Sequence, residues 1–347
     1  MEKLESIWQF DEVIAKAMSE RGYNSYYKEL YRLLNLYRSL LKRFTLNKEN
    51  VLYEDAQISG YIKNQIPKLN HLFDYYSKGK LAEFDKFAAS LFNTQSNRVS
   101  VSAYFPQTNI EKDSFWYRAR KPEMENKFLR EELYHVPFQK RGIVGNDRFS
   151  INGFPCLYLG NTLKCVDVET PPSAIKAVSC FKTMQEINVY DFTFFSLKDK
   201  SDNTRIINNL LSYPFKIAAS IPLKTEDKGK EGKGDKYIPE YVIPQLLLHW
   251  TIKNRRDEKP KGILYSSTKA ITGKFKSSEF SNYLNLVLPT FFIKDRGLCS
   301  HLNTYFQLTE PEIVAFPYLD DKSINDVQDK MQIKEFKQID IDYEPKN

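Results

Sequence analysis

Residues 148 to 169 read RFSINGFPCLYLGNTLKCVDVE. Asn152-Gly153 is a turn signal, and the apolar run Pro155 to Gly160 behind it predicts a strand. Leu163, Val166 and Glu169 then fall at i, i+3 and i+6, a helical period, and Pro171-Pro172 ends that helix. One supersecondary unit thus carries an arginine in a turn (Arg148), a strand tyrosine (Tyr158) and a carboxylate beside the apolar face of a helix (Glu169). An Arg, a Tyr and a Glu gathered this way suit an anionic, ribose-bearing ligand.

Working outward, Phe115 to Ala119, Ala177 to Phe181, Ile187 to Phe195, Gly262 to Ser267 and Tyr283 to Leu288 are further short apolar runs and predict strands. Asn203 to Ser220 and Tyr241 to Ile252 predict helices between them. The run Thr225 to Lys236, TEDKGKEGKGDK, predicts an exposed charged loop. Residues 1 to about 95 read as helices. In Tyr23 to Phe44, Leu30, Leu33, Leu34, Tyr37, Leu40, Leu41 and Phe44 form one amphipathic face, with Asn24-Ser25 as the N-cap, and Leu81 to Phe92 predicts another helix. The tail after about 319 is polar and predicts loose packing. The expected class is α+β: a helical N-terminal module (1–98), a ligand-binding domain on a mixed, mainly antiparallel sheet (99–318) and a polar C-terminal tail (319–347).

The chain of 347 residues is 41% hydrophobic and 14% aromatic, which excludes a disordered chain. A net charge of +7 suits an anionic ligand but is too weak to argue nucleic-acid binding. Cys156, Cys165, Cys180 and Cys299 show no CxxC spacing, so reduced buried thiols are expected rather than a metal site or a disulfide framework. The acidic start MEKLESIWQFDEVI does not fit a signal peptide, and no apolar run approaches the length of a transmembrane helix. A cytoplasmic protein with no membrane partner is expected.

Several residues carry candidate chemistry. Arg148, between a Gly-Asn-Asp turn and an Asn-Gly turn, presents a planar fork suited to phosphate; a surface arginine paired with Asp147 is the plain alternative. Tyr158 points away from Leu157 and Leu159 and offers a ring for stacking, or is an ordinary strand aromatic. Glu169 needs a partner or a task; a carboxylate there stabilises an oxocarbenium-like state, or forms a helix-end salt bridge. Ser266 and Ser267 follow the strand ending at Tyr265, where a hydroxyl holds phosphate or ribose, or marks a turn. Arg118, in FWYRAR, shares a face with Trp116 and adds a second cation, or is an edge-strand charge.

Taken together, the order YRAR, RFSINGFPCLYLG, a Glu eleven residues past the strand Tyr, IPQLLL and GILYSS resembles the RES domain, named for its Arg, Glu and Ser. The likeness covers roughly residues 114 to 270, and at most to 310. It implies an ADP-ribosyltransferase-like fold and a bacterial toxin acting on NAD, paired with an antitoxin that covers the active site. By this resemblance Arg118 and Arg148 grip phosphates, Tyr158 contacts nicotinamide or its ribose, and Glu169 stabilises the transition state. Ser267, or Ser266 beside it, holds ribose or phosphate, and Gln245 supports the site. The implied reaction is cleavage of the nicotinamide–ribose bond, with phosphate as acceptor, by an enzyme needing no metal. Homo-oligomers are compatible with it. The chain has Asp147 where the family usually has Gly, Gly160 where it has Ala, and Ser266 where it has Pro. Rival expectations are protein ADP-ribosylation, whose enzymes order the motifs Arg, Ser, Glu, and a catalytically inactive NAD-binding or assembly module.

Overall fold

The apolar runs of the central region align into one sheet. A computed structural model describes residues 7–20, 25–43, 56–92, 105–122, 128–194, 203–223, 237–254, 259–272, 277–291 and 294–345. Its strands are β1 (Gln107–Ile110), β2 (Phe115–Arg120), β3 (Cys156–Gly160), β4 (Lys176–Thr183), β5 (Ile187–Phe192), β6 (Ile263–Ser266), β7 (Leu284–Pro289), β8 (Phe306–Leu308) and β9 (Glu312–Val314). They pair in the order β1-β5-β6-β7-β3-β2-β4-β8, with β9 also on β4. β5 and β6 run parallel. The other described pairs are antiparallel. The class is α+β, with helices ahead of a mixed sheet, as the sequence predicts.

The helices are α1 (Ile7–Ser19), α2 (Tyr26–Arg43), α3 (Ala56–Ser77), α4 (Leu81–Phe92), α5 (Leu163–Glu169), α6 (Asn203–Ser220), α7 (Val242–Asn254), α8 (Thr268–Thr272), α9 (Ser300–Asn303) and α10 (Asp321–Gln332). The period-2 pattern of the strands sorts side chains to two faces. Tyr190, Phe192, Ile263 and Val287 join a core with α6 and α7. Leu157, Leu159, Phe181, Leu264, Leu286 and Leu288 face the opposite way, against Tyr134, Leu302 and Phe306. A third cluster seats α5 and α10 on β2 and β4 through Leu163, Val166, Tyr117, Val178 and Met331.

The N-terminal helices share the first of these cores. Leu30, Leu33, Leu34, Tyr37, Leu40 and Leu41 of the expected stripe are all buried. Each such side chain contributes roughly 1.5–3 kcal/mol when removed from water. Polar contacts fix the register against α6. The Tyr26 hydroxyl donates to Ala218 O at 2.9 Å and the Tyr37 hydroxyl to Leu210 O at 2.6 Å. Asp11 is buried with Lys216 Nζ at 3.2 Å and accepts from the Tyr213 hydroxyl at 2.7 Å.

The tail differs from the loose packing that its composition predicts. α10 buries Met331, and Ile339 is also buried. Leu308 and Lys337 exchange two backbone hydrogen bonds of 2.9 and 3.1 Å, and Leu298 N donates to Ile341 O at 2.7 Å. Backbone pairing carries no side-chain signature, which is why a polar composition conceals it. The charged run Thr225 to Lys236, Phe44 and the boundary expected near residue 98 lie outside the described residues. No helix among the described residues is long and apolar enough to cross a membrane. All four cysteines are free and buried.

Candidate functional site

A cleft of about 400 Å³ opens where α5, α8 and the Arg148 turn meet the sheet. That volume lies in the range of small-molecule sites. Arg118, Arg148, Tyr158 and Glu169 all line it, together with Asp147, Tyr241, Tyr265, Thr268, Lys269 and Asn285. Four of the seven residues singled out by sequence are therefore brought to one place.

Glu169 is the last residue of α5. The helix starts at Thr162, whose hydroxyl accepts from Cys165 N at 3.0 Å, and ends at Thr170 before the prolines. A carboxylate at a helix C-terminus faces the negative end of the macrodipole, so its placement needs other support. Asn285 supplies it: its Nδ2 donates to Glu169 Oε1 at 2.7 Å. Asn285 sits on β7 directly opposite Gly160 on one side and Tyr265 on the other. The neighbouring acid has a separate role. Asp167 accepts from buried Lys176 Nζ through Oδ1 at 2.6 Å and through its carbonyl at 2.8 Å, which pins the end of α5 to β4.

Gly160 lets α5 lie close to β3. A Cβ there would stand 2.8 Å from Val166 Cγ1 and 3.1 Å from Cys165 Sγ. The glycine at this position is thus a packing requirement of the helix that carries Glu169.

Arg148 projects from the turn that precedes β3. Gly153, with φ +73°, closes that turn, and Ile151 and Phe154 bridge across it. The guanidinium donates from Nη1 to Ala219 O at 3.0 Å and lies 5.3 Å from the centre of the Tyr241 ring. Gln245 does not line the cleft. It holds the turn instead, donating to Asn146 Oδ1 at 2.6 Å and Asp147 O at 3.0 Å. The Tyr158 hydroxyl donates to Phe149 O at 2.5 Å. Its ring faces the cleft while its hydroxyl anchors the residue after Arg148. Burial pushes the Tyr158 and Tyr265 hydroxyls well above their ordinary range, so both stay protonated.

Arg118 enters where the sheet parts. β2 and β3 meet at Tyr117 and Gly160 and then diverge. Burial, with Arg120 nearby, lowers the Arg118 guanidinium to about 9, still cationic at neutral pH. Its Nη1 is sealed from solvent without a hydrogen-bond partner.

The two serines lie outside the cleft lining. Ser266 is buried and its Oγ accepts from Phe194 N at 2.9 Å. Ser267 is buried and caps α8, accepting from Ala270 N at 3.1 Å. Their followers Thr268 and Lys269 reach the cleft, and Lys269 Nζ donates to Glu169 O at 3.1 Å. Sequence reasoning stopped at the serines; the YSSTK run held Lys269 two residues further on. Asn285 and Tyr241 had no motif to announce them. Among the described residues no group of His, Cys, Asp and Glu side chains gathers as a metal site.

This chain is similar to a Bacillus subtilis (strain 168) protein named "Putative toxin YopC". The two are 32% identical over 310 residues, which cover 85% of this chain and 65% of that protein. No protein-family model matches the chain, and no solved structure matches it. The cleft itself offers cations (Arg118, Arg148, Lys269), aromatic walls (Tyr158, Tyr241, Tyr265) and one carboxylate held by an amide. That set fits a ligand with phosphates, rings and a centre that becomes positive.

Proposed function

We propose that this protein consumes NAD by cleaving its nicotinamide–ribose bond, with inorganic phosphate as acceptor, and that it acts as a toxin. The observation that carries the reading is Glu169, oriented by Asn285, in one cleft with two arginines and the strand tyrosine. The resemblance of these residues to the RES motif and the name of the Bacillus protein support it.

The chemistry follows from the residues. Arginine forks bind phosphate oxygens, and Arg148 holds the dinucleotide in the cleft by its pyrophosphate. As the C–N bond lengthens, positive charge grows on the ribose, and Glu169 stabilises it. The bond's electron pair leaves with nicotinamide, which is released neutral. An oxygen of hydrogen phosphate forms the new bond to the anomeric carbon, giving ADP-ribose carrying a 1″-phosphate. Loss of NAD would starve the cell, and a protein covering the cleft would restrain it as an antitoxin.

The test is nicotinamide release by the purified protein with and without phosphate, beside Glu169→Gln. Phosphate-dependent release is expected, with kcat lowered on the order of 100- to 1,000-fold in the variant. Release that ignores phosphate would replace phosphorolysis by hydrolysis or transfer, and no release in any buffer would end the enzyme reading.

A further inference from the structure

Four buried polar atoms on the β2–β4 face lack hydrogen-bond partners: Arg118 Nη1, Trp116 Nε1, Ser179 Oγ and Tyr134 Oη. The side chains of Ser179 and Tyr134 are 0% exposed and Trp116 is 5% exposed. Buried polar groups in native proteins are satisfied as a rule, so four orphans in one neighbourhood call for an explanation. Their placement is common. Ser179 is the cross-strand partner of Arg118, and Trp116 lies two residues along the same face. The Tyr134 ring stacks at 6.1 Å on Phe181, the cross-strand partner of Trp116. The Tyr134 carbonyl accepts from Arg120 Nη2 at 3.4 Å, which brings a second cation alongside.

All four orphaned atoms are able to donate, and two of them, the guanidinium and indole nitrogens, can do nothing else. What they lack is a shared acceptor with several oxygens and negative charge. Water would leave the charge of the buried Arg118 guanidinium uncompensated. The site adjoins the cleft, because Arg118 lines it where β2 and β3 part.

We infer that Arg118, Ser179, Tyr134 and Trp116 form an oxyanion subsite behind the cleft wall that Arg118 lines, distinct from the position of the NAD pyrophosphate, and that inorganic phosphate occupies it as the acceptor. The acceptor role rests on the NAD-cleaving reading above; the binding of phosphate does not. Arg148 then serves the dinucleotide while Arg118 serves the second substrate. Phosphate held there attacks with an oxygen that is already deprotonated, so no base is required of the protein.

The experiment is calorimetric titration of the 347-residue chain with inorganic phosphate, in the Glu169→Gln protein, where slowed turnover lets NAD and phosphate be titrated together. Phosphate is expected to bind equally well or better with NAD bound. Ser179→Ala and Tyr134→Phe, each removing one hydroxyl, are expected to weaken phosphate about tenfold, the loss of one hydrogen bond to a charged group. Displacement of phosphate by NAD would assign Arg118 to the pyrophosphate and overturn the inference. So would phosphate affinity unchanged in both variants, or no phosphate binding at millimolar concentration. The competition arm uses neither hydroxyl variant and stands even if one fails to fold. If the cleavage reading fails, nicotinamide release is absent in every buffer while the phosphate titration still reads the subsite.

Discussion

At the residue scale the site depends on side chains that position others. Asn285 bonds Glu169 through Nδ2 and accepts from the Cys165 thiol through Oδ1 at 3.4 Å. Asn285→Ala frees the carboxylate to swing. The expected result is kcat lower by about tenfold to a hundredfold, with the NAD KM little changed, because the charge is misplaced while the binding groups remain. Steady-state kinetics decide it; a raised KM at unchanged kcat would make Asn285 a binding residue instead. A second residue sets a pH response. His135 accepts from Cys299 N through Nε2 at 2.8 Å and faces Val136 O through Nδ1 at 2.8 Å. Burial, aided by the charges of Arg118 and Arg120, lowers it to about 3. Once unfolded, the same imidazole takes up a proton below about pH 6.5. Between about 6.5 and 3 the unfolded chain binds the extra proton, so stability falls as pH falls, by up to about 1.4 kcal/mol per pH unit from this residue. Urea unfolding at pH 7 and pH 5 tests this: His135→Gln is less stable than the parent at pH 7 but should lose less between the two. Equal losses would remove His135 as the source.

At the element scale the deciding contact is that of α5 with β3. Gly160→Ala drives a methyl against Val166 Cγ1, and a well-packed core answers such insertions with roughly 1–3 kcal/mol of destabilisation. Val166→Ala removes the obstructing methyl groups. In the double variant the two losses should fall short of their sum, measured by denaturant midpoints; simple additivity would mean that α5 does not press on Gly160. This same unit shows what a sequence makes legible. The strand, the helix and the proline stop between 154 and 172 were readable because turn chemistry and period are local; the Thr162 cap was not read. That Tyr158 points away from Leu157 and Leu159 followed from alternation alone. What escaped was non-local. Asn285 reaches Glu169 through strand pairing across more than a hundred residues, and nothing in LNLVLP marks it. Ser267 reads as a ligand group by motif, yet its hydroxyl caps α8, a local use that a serine before a short helix always has available. β8 and β9 are three residues each and too short for a periodic signal.

At the scale of the whole molecule the N-terminal helices and the sheet meet in one core through α6. The end of α6 is gripped twice: Ala218 O accepts from Tyr26 of α2, and Ala219 O accepts from Arg148 of the cleft. The helices that carry no chemistry therefore hold the backbone that holds the arginine. One turn earlier, Lys216 lies between Asp11 and the rings of Phe194 and Tyr213, at 4.6 and 5.1 Å from their centres. An ion pair this deeply buried returns little net stability while intact, but removing one member strands the other charge. Asp11→Ala should cost about 3–5 kcal/mol by chemical denaturation, whereas Asp11→Leu combined with Lys216→Met should recover most of that loss. The two variants also separate stability from placement. If α1 only lends bulk, the double variant regains both stability and NAD turnover. If the pair fixes the angle at which α6 presents Ala219, stability returns while kcat/KM stays depressed, and Arg148 is the side chain whose position was lost.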